Sequence, residues 1–162
     1  MAKQIPLSQG KFALVDDEDF ERINQWKWSA LKDKRFKWYA VRNSPRQLGR
    51  RKKLIYMHRV IMNTPEDMDT DHVDGNDTLN NQRHNLRICT HSQNMANSGK
   101  RSNNKSGYKG VFMYKGVWCA KLKKDGRVVF DKTFHTAEEA ARAYDHAARE
   151  HFGGFAYTNF PD

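Results

Sequence analysis

The sequence predicts an α+β protein built in two parts, and three observations carry that prediction. A strand, a turn-rich loop, a second strand and a helix can be read in order between Thr70 and Asn97; three alternating strands and one helix fill residues 108–152; and the segment from Asn97 to Gly107 holds no apolar side chain. Elements of these two kinds form separate sheet-and-helix layers, and a segment with nothing to bury cannot fold alone. The expected parts are residues 1–98, a basic flexible linker over 99–106, and residues 107–162.

In chain order, Gln4 to Val15 reads as strand interrupted at Gly10, and Asp16 to Asn24 as a short helix with an acidic start and Phe20/Ile23 spacing. Trp26 and Trp28, then Phe36, Trp38 and Ala40, alternate as an antiparallel hairpin does, and these aromatics suit a small core. Ser44 to Lys53 reads as a loose basic loop, Leu54 to Met57 as a strand and His58 to Met62 as a helical turn, with His58 a buried, hydrogen-bonded residue. Thr70 to Val73 is a short strand, Asp74-Gly75-Asn76 a turn, Leu86 to Cys89 the returning strand, and Thr90 the N-cap of a helix through Asn94 toward Asn97.

Beyond the linker, Tyr108 to Tyr114, Val117 to Lys123 and Arg127 to Phe134 alternate as three strands, with turns at Lys115-Gly116 and Asp125-Gly126. Thr136-Ala137-Glu138-Glu139 is a capping box that opens a helix to about Phe152. Ala140, Ala141, Ala143, Tyr144, Ala147 and Ala148 give this helix a face of mostly small residues that can lie close on a sheet. The other face of that sheet is then left open.

Charge points to the partner. The formal net charge is +10, and the two basic runs are uneven: Lys32 to Lys53 holds ten basic residues against Asp33, and Lys100 to Arg127 holds nine against Asp125. A positive field of this size attracts a polyanion, and double-stranded DNA is the partner expected. No long apolar run, lipidation signal or signal peptide is visible, so no membrane partner is expected and a cytoplasmic location is. Two cysteines, Cys89 and Cys119, have no metal-binding spacing, so neither a zinc site nor a disulfide scaffold is expected.

The chemistry concentrates in Asp71-His72-Val73-Asp74-Gly75-Asn76, followed by Asn85-Leu86-Arg87 and Asn94. Hydrolysing a phosphodiester takes a base to deprotonate water and a cation to neutralise charge on the phosphate and the departing oxygen. His72 can be that base, since an imidazole titrates near pH ~6.5. Asp71 and Asn94 offer oxygen, which selects a hard ion: magnesium, with manganese an alternative, and not zinc. No small-molecule cofactor is expected. Neighbouring residues on a strand face opposite ways, so Asp71 and His72 can share one site only if the strand is bent or bulged. An EF-hand reading fails because Val73 falls where an oxygen ligand is needed and no glutamate closes the loop. His84 and His91 read as solvated side chains. Arg83 and Arg87 lie near enough to clamp a scissile phosphate, with ion pairing inside the fold as the alternative.

These residues resemble the HNH endonucleases of ββα-metal fold, in the branch of phage homing enzymes. The Asp-His pair, the Asn-Leu-Arg segment and an asparagine nine residues past Asn85 carry the resemblance, and Ile5 to Phe12 and Met57 to Met62 look like segments that precede the motif in that branch. It implies His72 as general base, Asp71 and Asn94 as ligands of one divalent metal, and Asn85 as a catalytic-site residue that braces the loop and orients His72. Asn94 stands where many relatives have histidine. The setting implied is a bacterial cell, with the gene carried by a phage or mobile element.

The last third resembles the DNA-binding domain of plant ethylene-response factors, the APETALA-type fold, through Tyr108-Lys109-Gly110-Val111, Trp118, Ala120, Thr133-Phe134, the Thr136 to Ala141 segment, Ala143-Tyr144-Asp145, Phe152-Gly153 and Asn159-Phe160. The resemblance implies a three-stranded sheet laid in the major groove. Where plant relatives carry arginines on the first strand, this chain has Lys109, Phe112, Met113 and Tyr114. Lys109, Lys115, Lys121, Lys123 and Arg127 are the expected DNA contacts, mostly to phosphates. Trp118 can touch DNA or anchor the core, and the residues leave both open. Together the parts imply a site-targeted DNA endonuclease of the homing type. Its single active site suits nicking by a monomer, with two chains or two events for a double-strand break. The alternatives are a DNA-binding regulator with a vestigial nuclease site and a less specific host-defence nuclease.

Overall fold

The computed structural model describes residues 1–34, 36–45 and 52–161, so most of the basic loop expected from Ser44 to Lys53 lies outside the described residues. Among these are ten strands in four small antiparallel sheets and four α-helices. The chain divides into two units, Met1–Cys89 and Thr90–Asp162. No described helix is long and apolar enough to cross a membrane.

In the first unit, β1 (Ala2–Pro6) pairs with β2 (Phe12–Asp16) around a turn in which Gln9 has a left-handed φ of 61°. The helix α1 (Asp17–Asn24) follows at once; its first turn carries Asp17, Glu18 and Asp19, which favour the positive end of the helix dipole, and it buries Ile23. Strands β3 (Ser29–Lys32), β4 (Trp38–Asn43) and β5 (Leu54–Tyr56) form the second sheet. The short helix α2 (Met57–Met62) stops at Asn63, whose φ of 49° is the left-handed cap that ends a helix. Ile5, Val15, Ile23, Trp28, Met57 and Ile61 meet in the core. Trp28 fills it and donates its indole N–H to the Ile23 carbonyl at 2.9 Å, so its one polar atom is paired. The aromatic core is smaller than the alternation predicts: Trp38 packs against it, whereas Phe36 is exposed and Trp26 stacks on the Arg42 guanidinium at 4.2 Å.

The strands β6 (Asp69–His72) and β7 (Leu86–Cys89) pair with each other. Their connecting loop is fastened to β2: the Leu14 N–H donates to the Leu79 carbonyl at 2.9 Å, and the Asn81 N–H to the Leu14 carbonyl at 2.7 Å. The Asp16 carboxylate accepts from Gln82 Nε2 at 2.8 Å and from the Arg83 N–H at 2.7 Å. A loop that would otherwise lack backbone partners is therefore held at several points.

The second unit starts with α3 (His91–Asn97), opened by the Thr90–Gln93 capping box. Its Ala96 is buried in the second core, and the Ala96 carbonyl accepts from the Tyr157 N–H at 3.1 Å. The division therefore precedes α3, ahead of the linker expected over 99–106. That segment is organised by side chains rather than by burial: Asn104 accepts from the Gly107 N–H and donates to the Tyr108 carbonyl, both at 2.8 Å, and Ser106 donates to the Val111 carbonyl at 2.8 Å.

Strands β8 (Val111–Tyr114), β9 (Val117–Lys124) and β10 (Arg127–Phe134) form a meander in the order β10-β9-β8. Both turns, Lys115-Gly116 and Asp125-Gly126, have two successive positive φ values, the hairpin geometry that matches strand twist. The first strand begins three residues later than the alternation predicts, because Gly107 and Gly110 both take positive φ. The helix α4 (Ala137–Phe152), capped by Thr136 and Glu139, lays Ala140, Ala141, Tyr144 and Ala148 on one face of this sheet.

Candidate active site

Asp71 and His72 are the last two residues of β6. The pairing is unbroken, with Asp71 opposite Arg87 and His72 opposite Leu86. The bend or bulge that would turn both side chains one way is therefore absent from this pair of strands. Asp71 shares a face with Arg87, whose Nε and Nη2 donate to its Oδ2 at 3.1 and 2.9 Å. His72 shares a face with Leu86, a core residue.

His72 is buried within a ring cluster. The His58 ring lies 4.9 Å away and nearly perpendicular, Tyr39 lies 6.1 Å away, and Tyr56 packs 5.3 Å from His58. Burial pulls the His72 pKa below the ordinary imidazole value; the Asn81 side chain and the carboxylates of Asp71 and Asp77 oppose that pull, and Lys37 adds to it. The net direction favours neutral imidazole, the form that accepts a proton.

Asn85 laces the loop together. Its Oδ1 accepts from the Asp74 N–H at 2.9 Å, and its Nδ2 donates to the carbonyls of Asn80 at 2.9 Å and Asp77 at 3.2 Å. The carboxamide that raises the His72 pKa is that of Asn81, which sequence reasoning missed. A run of carboxamides at Asn80, Asn81 and Gln82 ahead of β7 was the available signal. Lys37, reaching from the start of β4, donates to the Gly75 carbonyl and was missed for the same reason: its contact spans 38 residues.

His58 departs from its expected role. It is buried, but its Nδ1 has no hydrogen-bond partner among the described residues, and burial drives its pKa down to about 3, with His72 and Arg59 pushing the same way. The unfolded chain would protonate this group near pH ~6.5, so the stability it contributes is present above that pH and is lost as pH falls toward 3, by about 1.4 kcal/mol per unit. Thermal unfolding at pH 7.5 and pH 5.0 should show that His58→Phe loses less stability on acidification than the wild type, by ~2 kcal/mol. Equal acid sensitivity in the two proteins would exclude His58 as the source.

Arg83 is ion-paired inside the fold. Its Nε and Nη2 hold the buried Asp19 carboxylate at 2.8 and 2.9 Å, and Nε also meets Glu18 at 2.8 Å. The ion-pair alternative is the one observed. Arg87 is likewise paired, with Asp71. Asn94 lies on α3, in the second unit.

An uncharacterized HNH endonuclease of Acanthamoeba polyphaga mimivirus is 32% identical over 153 residues, covering 93% of this chain and 76% of the viral protein. The chain belongs to the HNH endonuclease family. Dehydration-responsive element-binding protein 2A of rice, in both the indica and japonica subspecies, is 41% identical over 71 residues, or 42% of this chain and 26% of the rice protein. No family model and no solved structure matches the chain.

In this HNH endonuclease, the residues expected at DNA divide by face. Lys109 turns inward: its Nζ donates to the Ala96 carbonyl, its N–H donates to Asn159 Oδ1 at 2.6 Å, and burial lowers its pKa to about 8. Trp118 packs on the core side of the sheet, against α4 and its neighbours. Lys115 and Lys123 are exposed, as is Arg127 at the start of β10. Lys121 is half-buried and pairs with Asp131 at 2.7 Å. Strand alternation would have separated these sets, had the strand register been known.

Proposed function

We propose that this HNH endonuclease is a site-targeted DNA nuclease of the homing type, cutting phosphodiester bonds with His72 as general base and one divalent metal, magnesium or in its place manganese. One observation carries the reading: His72 sits at the end of β6, buried beside His58 and Tyr39, and that burial favours its neutral form. Neutral imidazole takes the proton from the attacking water, and Asn85 keeps the loop beside it in place. The candidate donors are hard oxygens of the kind such an ion takes, the Asp71 carboxylate in the first unit and the Asn94 carboxamide in the second; among the described residues no cluster of three His, Cys, Asp or Glu side chains could hold a metal. When bound, the metal supplies charge neutralisation at the phosphate and the departing oxygen. The Asp71 carboxylate is held by Arg87 at 2.9 Å.

The likeness to the rice element-binding protein favours a second reading, a DNA-binding regulator whose nuclease site is vestigial. A plasmid-nicking assay separates them. Nicking should vanish on chelation with EDTA and return with magnesium or manganese but not with zinc. Nicking that persists in EDTA would sink the metal assignment. DNA binding without cleavage in any of these ions would favour the regulator.

A further inference from the structure

The β8–β10 sheet has one covered face and one open face. Val111, Trp118, Ala120, Leu122, Phe130 and Phe134 face α4 and form the core. Alternation sends the residues between them to the other side. Phe112 is 40% exposed there, Tyr114 58% and Val117 44%. The register joins them into one patch: Tyr114 pairs with Val117, Phe112 with Cys119, and Cys119 with Thr133 on β10. Apolar side chains this exposed on a charged protein mark a binding surface rather than a core.

The surroundings say what kind of partner fits. Lys121 Nζ lies 5.9 Å from the Phe112 ring, and Lys115 Nζ lies 5.5 Å from the Tyr114 ring. The stretch from Lys100 to Arg127 has nine basic residues against Asp125 alone, a charge complementary to a phosphate backbone. The major groove is wide enough for β-strands, so lysines at the margins can meet phosphates while the patch meets base edges. Base edges offer this patch one apolar group, the C5-methyl of thymine. Guanine is most often read by a bidentate arginine, and neither β8 nor β9 contains an arginine.

We propose that the open sheet face recognises thymine methyl groups in the major groove through Phe112, Tyr114 and Val117, so that the site bound by this unit is rich in A·T pairs. The proposal rests on the chain being a DNA-binding nuclease and adds the base chemistry its second unit selects. Contacts between aromatic or branched side chains and the methyl supply discrimination, and the lysines supply affinity that does not depend on sequence.

The test uses the full chain in EDTA, so that DNA is not consumed, and a pool of randomised duplexes. The recovered duplexes should share an A·T-rich block. Resynthesising one with uracil for thymine removes only the methyl groups and should weaken binding about fourfold per contacted methyl. Phe112→Ala, at an exposed position, should still bind but lose much of the thymine-over-uracil preference, and Tyr114→Ala should do so in part. Equal affinity for the thymine and uracil duplexes, or a G·C-rich consensus, would overturn the proposal. Thymine preference without cleavage in magnesium would remove the nuclease reading instead, and cleavage with indifference to uracil would leave that reading intact.

Discussion

Replacing His72 with alanine should lower magnesium-dependent cleavage by about 10²- to 10⁴-fold, the range a positioned general base contributes, while leaving DNA affinity in EDTA unchanged. The reasoning starts from position. His72 is 4% exposed and its ring meets those of His58 and Tyr39, so its orientation is set before substrate arrives. A base fixed in this way contributes to the chemical step more than to binding. The backbone pairing of His72 with Leu86 does not need the side chain, so the alanine variant keeps the strand. Single-turnover cleavage rates beside EDTA binding curves separate the two effects. Equal cleavage by the variant would remove His72 from the reaction. A loss of affinity matching the loss of rate would make it a binding residue.

Local chemistry made much of the fold legible. The Thr90–Gln93 and Thr136–Glu139 capping boxes sit where side chains of that spacing close helix ends, and the two Xaa-Gly hairpin turns sit where left-handed backbone is needed. The limits of β7, β10 and α4 follow from those signals to within a residue. Long-range pairing was not legible. That Asp19 would bury itself under Arg22 and Arg83, or that His58 would lie against His72, depends on segments brought together only by the core. Charge runs misled for the same reason. Lys109 belongs to a basic run in the sequence, yet alternation and the Ala96 carbonyl turn it inward, while Phe112 and Tyr114, apolar by type, face out. Composition counts side chains; the register decides which of them a partner can meet.

The position least tolerant of change in the second unit should be Gly110, where alanine is expected to cost about 2–5 kcal/mol, a large share of the ~5–15 kcal/mol that holds an ordinary domain together. Two causes add. Its φ of 75° lies in the left-handed region, which costs a side-chain-bearing residue ~1–2 kcal/mol. A Cβ there would sit 2.0 Å from Cε2 and 2.2 Å from Cδ2 of Tyr144, an overlap no rotamer adjustment of a methyl can relieve. Tyr144 cannot yield easily, since it is buried among the α4 alanines and burial has already pushed its hydroxyl pKa up to about 12. Shifting the ring would also disturb the neighbouring backbone, because the Gly110 carbonyl accepts from the Lys121 N–H at 2.9 Å and so ties the start of β8 to β9. Gly116 supplies the control: its φ of 82° is equally left-handed, but nothing lies within 4 Å of where its Cβ would be. Gly116→Ala should therefore cost only the backbone part, ~1–2 kcal/mol. Urea unfolding followed by near-ultraviolet circular dichroism of the aromatic residues would compare the two variants. Equal costs would mean that the approach of Tyr144 to Gly110 does not constrain the sheet against α4; a larger loss for Gly110→Ala, relieved in part by Tyr144→Leu, would assign the difference to that contact.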